Sequence, residues 1–226
     1  MKIKVLAISE SETVPFMLKQ HYARRRCSVS FAFGAYRGAD LIGIVTYGVP
    51  VSSPLREGIC GKQWASHVLE LNRLCCENSA NIASQLVGRS LRLLPKPSII
   101  VSYADTSQGH VGYVYQSCNF VYTGLSAKRT NWTIRGQEHL HGASVADKSR
   151  GQKNRAQYMR DTYGADFYLS ERPRKHRYVF FCGSKKDVKL MKGCLLYPIQ
   201  NYPKGESLRY EISSTVETQR RLLFDE

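Results

Sequence analysis

Residues 98–105 read Ser-Ile-Ile-Val-Ser-Tyr-Ala-Asp, and this segment decides the fold. A continuous apolar run of this length is typical of a strand that is buried on both faces of a sheet. In open α/β sheets, ligands bind beyond the carboxyl ends of the strands, so Asp105 is placed for chemistry. An aspartate that caps the next helical turn would produce the same pattern. Both roles of Asp105 stay open at this point.

Strand-like and helix-like segments alternate on both sides of this strand. The expected N-cap of the first helix is Ser11, and Pro95 and Pro97 end the helix that precedes the central strand. Periodicity predicts helices at 12–23, 80–94 and 109–117, and strands at 2–9, 29–36, 41–47, 67–74, 98–104 and 120–125. This order predicts a mixed α/β sheet with helices on its faces.

The second part of the chain carries a different pattern. Strands are predicted at 131–135 and 177–182, helices at 155–163 and 185–195, and a polar loop at 136–151. We therefore expect a core over residues 1–129 and a basic C-terminal extension over residues 130–226. A chain of 226 residues is of the length of one ordinary domain, so the extension is expected to pack on the core as one globular unit.

The net charge of +15 is the first indication of a partner, because a field of that sign attracts polyanions. Segment 128–192 carries sixteen Lys and Arg against six Asp and Glu, with tyrosines interspersed. Cations for phosphates beside aromatic rings for stacking favour a nucleic-acid groove over a merely solvated basic face. The pattern predicts contact with DNA or RNA, and the expected contacts are Lys148, Arg150, Lys153, Arg155, Arg174, Lys175 and Arg177.

Apolar runs and cysteines indicate the compartment. The sequence has no apolar run of 18 residues, and its N-terminus lacks the long apolar region of a signal peptide. Its seven cysteines are scattered and contain no C-x-x-C pair, which is typical of free thiols in a reducing compartment. We expect a cytoplasmic protein with no membrane segment. The sequence does not give the oligomeric state, although it is compatible with a homodimer.

The order of elements resembles the acyl-CoA N-acyltransferase (GNAT) fold. The helix-to-strand segment from Tyr115 to Gly124 is similar to the pattern of that superfamily, in which a tyrosine on the last helix precedes a tight turn. The GNAT loop that binds the CoA pyrophosphate is glycine-rich, so that its backbone amides are exposed. The corresponding loop here, Asn78-Ser79-Ala80-Asn81-Ile82-Ala83, contains no glycine. It therefore gives no support for an acyl-CoA cofactor.

Four segments support a narrower resemblance. They are Leu-Glu-Leu-Asn-Arg-Leu at 69–74, Gly-Arg-Ser-Leu-Arg-Leu-Leu at 88–94, Val-Ser-Tyr-Ala-Asp at 101–105 and Gly-His-Val-Gly-Tyr-Val-Tyr-Gln at 109–116. Together they resemble the phage Mom family, and the similarity covers most of the chain. This resemblance implies double-stranded DNA as the partner and a GNAT-like enzyme that converts adenine in phage DNA to an N6-carbamoylmethyl form and thereby blocks restriction.

The resemblance also implies site residues and a metal. It places catalytic groups at Arg73, Ser90, Asp105 and Tyr115, and it implies an iron ion held by His21, Tyr22 and Asp105. Imidazole and oxygen ligands suit Fe(II), and a carboxylate can also accept a proton. These two roles compete for Asp105, and the sequence does not choose between them.

Two other hypotheses remain beside DNA adenine modification. One is a conventional GNAT acetyltransferase that acts on a protein or a small amine, and the other is a DNA-binding protein without catalysis. An enzyme that modifies a base amine in a duplex has to take the base out of the stack. Tyr103, Tyr113 and Trp132 are the aromatic candidates for holding such a base, although each residue type is also common in protein cores.

Overall fold

The protein is built around a seven-stranded mixed sheet. The computed structural model describes residues 3–22, 24–77, 79, 81–140 and 142–205. The sheet has the strand order β1-β2-β3-β4-β5-β9-β6, and a separate hairpin pairs β7 with β8. The strands are β1 (Lys4–Ala7), β2 (Phe31–Arg37), β3 (Asp40–Gly48), β4 (Val68–Cys76), β5 (Ser98–Asp105), β6 (Val121–Leu125), β7 (Arg129–Ile134), β8 (Phe167–Arg172) and β9 (Lys175–Cys182).

Helices cover both faces of this sheet, as the sequence predicts. They are α1 (Glu10–Pro15), α2 (Ser53–Cys60), α3 (Ile82–Leu93), α4 (Tyr113–Ser117), α5 (Gly142–Asp147), α6 (Arg155–Tyr163) and α7 (Lys185–Gly193). A π-helical turn at Phe16–Gln20 continues α1, and 3-10 turns lie at Lys62–His67, Thr106–Gln108 and Gly164–Asp166. The fold class predicted from the sequence, a mixed α/β sheet with helices on its faces, is confirmed.

The sheet contains one parallel pair among antiparallel ones. Strands β4 and β5 run parallel, and α3 makes the crossover between them. Their carboxyl ends therefore lie at the same edge of the sheet, which is where a ligand site is expected. Next to β5 lies β9, which pairs antiparallel with it and sets Lys175 directly opposite Asp105.

The position of β9 differs from the predicted division of the chain. The sequence assigns residues 175–182 to a C-terminal extension, whereas in the structure they form an inner strand of the main sheet, between β5 and β6. The reason is physical, because β9 is apolar on both faces and needs a neighbour on each side. The 1–129 core is therefore completed by a strand from beyond residue 129.

Two apolar layers lie on the two faces of the sheet. On one face, Leu69, Leu71 and Ile100 pack against α3. On the other, Val68, Val101 and Val179 pack against α2 and α7. Because successive side chains of a strand point to opposite faces, Glu70, Tyr103, Asp105, Lys175 and Arg177 belong to the α2 face.

Outside the main sheet, the β7–β8 hairpin and the helices α5 and α6 form a small substructure. Its core consists of Ile134, Val145 and Met159. Trp132 packs edge-on against Phe167 there, with ring centroids 5.2 Å apart. Trp132 is therefore a partly buried residue that packs against the core of this substructure.

Local signals explain both the agreement and the errors in the predicted elements. The helix α6 has its predicted bounds, and the Asn154 side chain caps it by accepting a hydrogen bond from the Gln157 amide. The predicted cap Ser11 is wrong, since Ser9 forms a capping box with Glu12 and starts α1 earlier. The elements α2, α5 and β8 were not predicted.

Candidate functional site

Two clefts meet at the carboxyl ends of β4 and β5. The first, which we call the α4 cleft, has a volume of about 570 Å³ and runs along β4, β5 and α4. The second, the α2 cleft, has a volume of about 390 Å³ and lies between the start of α2 and the cationic residues of β8 and β9. Both volumes are in the range of small-ligand sites. The residues that line both clefts are Tyr22, Leu71, Asn72, Arg73 and Tyr103.

Asp105 lines neither cleft itself but lies directly behind two residues that do, Tyr22 and Lys175, and it is 7% exposed. Its Oδ2 is 2.8 Å from the Lys175 Nζ and accepts a long 3.4 Å hydrogen bond from the Tyr22 hydroxyl. Its Oδ1 accepts hydrogen bonds from the Ser107 amide at 3.1 Å and the Ser107 hydroxyl at 2.7 Å. Asp105 thus caps the turn that follows β5 and also presents a carboxylate oxygen to Tyr22 and Lys175, while its role in chemistry stays a prediction.

These contacts set the protonation state of Asp105. Burial by itself raises the pKa of the carboxyl group, but the hydrogen bonds from Lys175 and Ser107 outweigh that effect and leave the pKa below its usual value. Asp105 is therefore ionised at neutral pH, paired with the Lys175 ammonium.

His21 and Tyr22 follow the π-helical turn and stack on each other, with ring centroids 4.5 Å apart. Burial lowers the pKa of His21 to about 4, helped by the positive charges of Arg73, His110 and Lys175. Burial and the charge of Asp105 raise the pKa of Tyr22. At neutral pH the site therefore presents an uncharged imidazole and an uncharged phenol beside the Asp105 carboxylate.

The lowered pKa of His21 predicts a pH-dependent loss of stability. The unfolded chain takes up a proton at His21 near pH 6.5, and the folded chain does so only near pH 4. Stability therefore falls as the pH drops from about 6.5 to about 4. Urea unfolding over this range should show that the unfolding free energy of the wild type falls with pH. The slope of this free energy against pH should be smaller in His21→Gln, by the equivalent of up to one proton. His139 is exposed, so the control variant His139→Gln should keep the wild-type slope. An equal effect in both variants would show that buried His21 is not the cause of the pH dependence.

Arg73 lies on the wall that the two clefts share. Its Nη1 donates to the Asn72 carbonyl at 2.6 Å and its Nη2 to the Arg25 carbonyl at 3.3 Å. Its Nε is buried and has no hydrogen-bond partner among the residues that the structure describes. Since a buried donor without a partner is costly, Arg73 is suited to bind a polar group of a ligand.

Tyr115 extends from α4 into the α4 cleft, where its ring contacts Phe120 and Tyr178 at 5.4 Å and 5.3 Å. Burial raises its pKa to about 12, against a hydrogen bond with Ser102. Tyr113 lines the same cleft and is 59% exposed. Tyr115 therefore stays protonated at neutral pH, and both rings offer an apolar surface to a ligand in the α4 cleft.

Ser90 is not brought to this junction, contrary to the sequence prediction. It is fully buried within α3, and it lines neither cleft. Its hydroxyl lies 2.6 Å from the Tyr47 hydroxyl and donates to the Val87 carbonyl at 2.9 Å. Ser90 satisfies a buried tyrosine of the core, and a substrate in either cleft would not touch it.

Sequence reasoning missed Glu70, which lines the α2 cleft together with Tyr103. Burial raises the pKa of Glu70, against the charges of Arg73 and Lys175. The available signal was its position, since a carboxylate interrupts the apolar run at 68–71 of a central strand.

The comparison of sequences now identifies the family. The sequence model of the Mom protein family matches residues 2–204, nearly the whole chain. The chain belongs to the Mom protein family. A curated Mom relative, "Methylcarbamoylase mom" of Escherichia phage Mu, is 27% identical over 192 residues, which are 82% of this chain and 77% of that protein. The family predicted from the sequence is confirmed.

Solved acetyltransferase structures are also similar to this Mom-family chain. A Bacillus subtilis acetyltransferase in complex with CoA covers 80% of this chain with 99% of its own, at 11% identity and a TM-score of 0.45. The ribosomal-protein-S18-alanine N-acetyltransferase of Escherichia coli covers 80% with 95% of its own, at 8% identity and a TM-score of 0.43. A likeness at this level says nothing about activity or ligand.

The iron implied by resemblance to the Mom family stays a prediction. Of its three predicted ligands, His21 stacks on Tyr22 and the Tyr22 hydroxyl lies 3.4 Å from Asp105 Oδ2, an oxygen that also pairs with Lys175 at 2.8 Å. In the part of the chain that the structure describes, no group of three His, Cys, Asp or Glu is arranged to hold a metal. Three of the predicted catalytic residues, Arg73, Asp105 and Tyr115, nevertheless lie at or beside the junction of the clefts.

The residues predicted to bind DNA divide into two groups. Lys148, Arg150 and Lys153 are exposed between α5 and α6, and Arg150 pairs with Asp147 at 2.8 Å. The others have partners within the protein. Arg155 bonds Ser149 and Ala146, Arg174 bonds the carbonyls of Ser126 and Leu125, Lys175 bonds Asp105, and Arg177 is buried against Thr123 and the Tyr197 ring.

Two further expectations concern the whole Mom-family chain. All seven cysteines are free thiols, as the sequence predicts. Within the described residues, every helix is too short or too polar to cross a membrane.

Proposed function

We propose that this chain is a DNA-modifying enzyme that converts adenine to N6-carbamoylmethyladenine and so protects phage DNA from restriction. Membership of the Mom family supports this function, and the Mu relative is named a methylcarbamoylase. The observation that carries the proposal is the meeting of the two clefts at Tyr22 and Arg73, with the Asp105 carboxylate 3.4 Å from the Tyr22 hydroxyl. A two-substrate transfer needs such an arrangement, because donor and acceptor must meet at one set of reacting atoms.

The reaction forms a bond between N6 of adenine and the methylene carbon of the added group. The bond from that carbon to the leaving group breaks, and the leaving group takes the electron pair. One N6 proton has to depart as well. The N6 lone pair is delocalised into the ring, so the enzyme must align it with the carbon and accept the proton.

Asp105 is proposed as the acceptor of that proton, directly or through the Tyr22 hydroxyl. A carboxylate with a lowered pKa is a weak base, but N6 becomes cationic as the new bond forms and its proton becomes strongly acidic. A weak base is then sufficient. Lys175 keeps Asp105 ionised before the reaction, and Ser107 fixes the orientation of the carboxylate.

Arg73 and the α4 cleft are proposed to hold the donor. The Arg73 Nε is a buried donor without a partner among the described residues, and it suits a carbonyl or an anionic group of the donor. The α4 cleft has the larger volume and includes the Tyr113 and Tyr115 rings, which offer an apolar wall. Exposed cations near α6 are proposed to hold the DNA backbone.

Mass spectrometry of nucleosides tests the function directly. Plasmid DNA from cells that produce the protein is digested and compared with DNA from cells with an empty vector. We expect a new adenosine nucleoside that is heavier by the mass of a carbamoylmethyl group less one hydrogen. An unchanged nucleoside profile in cells that contain the folded protein would overturn the proposal.

A further inference from the structure

The α2 cleft contains a carboxylate that has no hydrogen-bond or ion-pair partner among the residues that the structure describes. Glu70 lines this cleft on β4, on the same face as Tyr103. Its carboxylate makes no hydrogen bond or ion pair with any other residue that the structure describes, although Arg73 and Lys175 lie near enough to affect its charge. Burial raises the pKa of Glu70, because the carboxylate lacks donors. A ligand that donates a hydrogen bond here would relieve that cost.

The mouth of the same cleft carries two arginines side by side. Arg129 on β7 and Arg172 on β8 are cross-strand partners in register, and both line the cleft. Both are exposed, and neither is paired with a carboxylate in the described part of the chain. Like charges directly opposite each other on a hairpin are destabilising. Such a pair becomes favourable when an anion binds between the two guanidinium groups, and a phosphate has the matching geometry.

The remaining wall suits a flat ring. Tyr103 lines the α2 cleft between Glu70 and the junction, and an aromatic ring there can stack on a base. One nucleotide has three parts that this cleft could bind. The cations at the mouth suit its phosphate, the aromatic wall suits the face of its base, and the carboxylate inside suits the edge of its base. Arg177 lies behind this wall, and its guanidinium is engaged by Thr123 and stacked on Tyr197 at 3.3 Å.

We propose that the α2 cleft is the pocket for the target nucleotide after it leaves the duplex, with Arg129 and Arg172 binding its phosphate and Glu70 accepting a hydrogen bond from its exocyclic amine. This assignment rests on the proposed function and adds the residues that select the base. It also separates the substrates, with the nucleotide on the α2 face of the sheet and the donor in the α4 cleft.

Glu70 would make the pocket specific for a base that carries an amine at the reacting position. Adenine presents a donor at N6, whereas guanine and hypoxanthine present the O6 acceptor, which a carboxylate repels. A site that hydrogen-bonds a substrate amine rejects an analogue without that amine, because its buried acceptor would stay unpaired. Tyr103 and the cleft volume add the preference for a purine.

Binding to two matched DNA probes tests this assignment. Each probe is a duplex with one extrahelical purine opposite an abasic site, and the purine is adenine in one probe and hypoxanthine in the other. The wild type should bind the adenine probe at least about tenfold more tightly. Glu70→Gln should bring the ratio of the two Kd values close to one, because an amide both donates and accepts. The control Glu138→Gln makes the same charge change at an exposed turn and should keep the wild-type ratio.

Arg172→Gln tests the phosphate clamp separately. This variant should weaken binding of both probes by a similar factor, keep the ratio between them, and lower the slope of log Kd against log salt by about one. Circular dichroism of each variant establishes that it is folded. A wild type that binds the two probes equally, or a Glu70→Gln variant that keeps the wild-type preference, would overturn the assignment of Glu70.

The same variants distinguish this inference from the proposed function. Suppose that the wild type produces the heavier adenosine and that Glu70→Gln keeps both the product and the probe preference. The proposed function is then supported and the pocket assignment is wrong. If the wild type produces no modified adenosine, the function fails whatever the probes show. A preference for the adenine probe without any product would support the pocket as a binding site and remove the catalytic proposal.

Discussion

Asp105→Asn should reduce adenine modification about a hundredfold or more while leaving DNA affinity nearly unchanged. The amide has the size of the carboxylate and can still accept the hydrogen bonds of Ser107, but it cannot take up a proton from N6. Loss of a positioned proton acceptor commonly costs about a hundredfold to ten-thousandfold in rate. The product is measured as the fraction of modified adenosine, and DNA affinity by fluorescence anisotropy at fixed salt.

Lys175 provides the matched comparison for Asp105. Asp105→Asn leaves the Lys175 ammonium without its partner, so a loss of activity could also come from a displaced lysine. In the double variant with Lys175→Gln the buried pair is replaced by two amides. Activity that stays low in the double variant assigns the loss to the missing base. A parallel loss of folding or of DNA binding in Asp105→Asn would instead make Asp105 a structural residue.

Only those site residues could be predicted from the sequence that stand in a clear local pattern or match the family resemblance. Asp105 stands at the end of a recognisable buried strand, and resemblance added Arg73 and Tyr22, which line both clefts, with the Tyr22 hydroxyl 3.4 Å from Asp105. Ser90 carried the same kind of support, yet it faces the core and bonds Tyr47. Sequence position cannot show which face of α3 a small polar residue occupies when its partner is forty-three residues away.

Long-range pairing explains the other omissions. The Asp105–Lys175 ion pair exists because β9 lies beside β5, and the strand order of a sheet is not a local property of the chain. Glu70 acquires part of its surroundings in the same way, since Lys175 on β9 adds its charge to that of Arg73 on β4. The elements α2 and β8 were missed because neither has a clear period. The pattern of β8, for example, leaves four of its six residues exposed.

Arg177→Ala should destabilise the protein by about 2–4 kcal/mol, because it removes charge-assisted hydrogen bonds and leaves buried acceptors without a donor. Arg177 is 8% exposed, and its guanidinium donates to the Thr123 hydroxyl and carbonyl, each at 2.9 Å. It also stacks on Tyr197 at 3.3 Å from the ring centroid. The sequence predicts Arg177 as a DNA contact, whereas these contacts indicate that it fastens β9 to β6 and forms the back of the α2 cleft.

Lys153→Ala separates stability from DNA binding. Lys153 is exposed between α5 and α6, where its ammonium is available to a phosphate. Its loss should leave urea unfolding within about 0.5 kcal/mol of the wild type and lower the slope of log Kd against log salt by about one. Arg177→Ala should show the opposite pattern, with a lower unfolding midpoint and an unchanged salt slope at temperatures where it is folded. An Arg177→Ala variant of wild-type stability with a reduced salt slope would return Arg177 to the DNA interface, and the back wall of the α2 cleft would then have to be open to the nucleic acid.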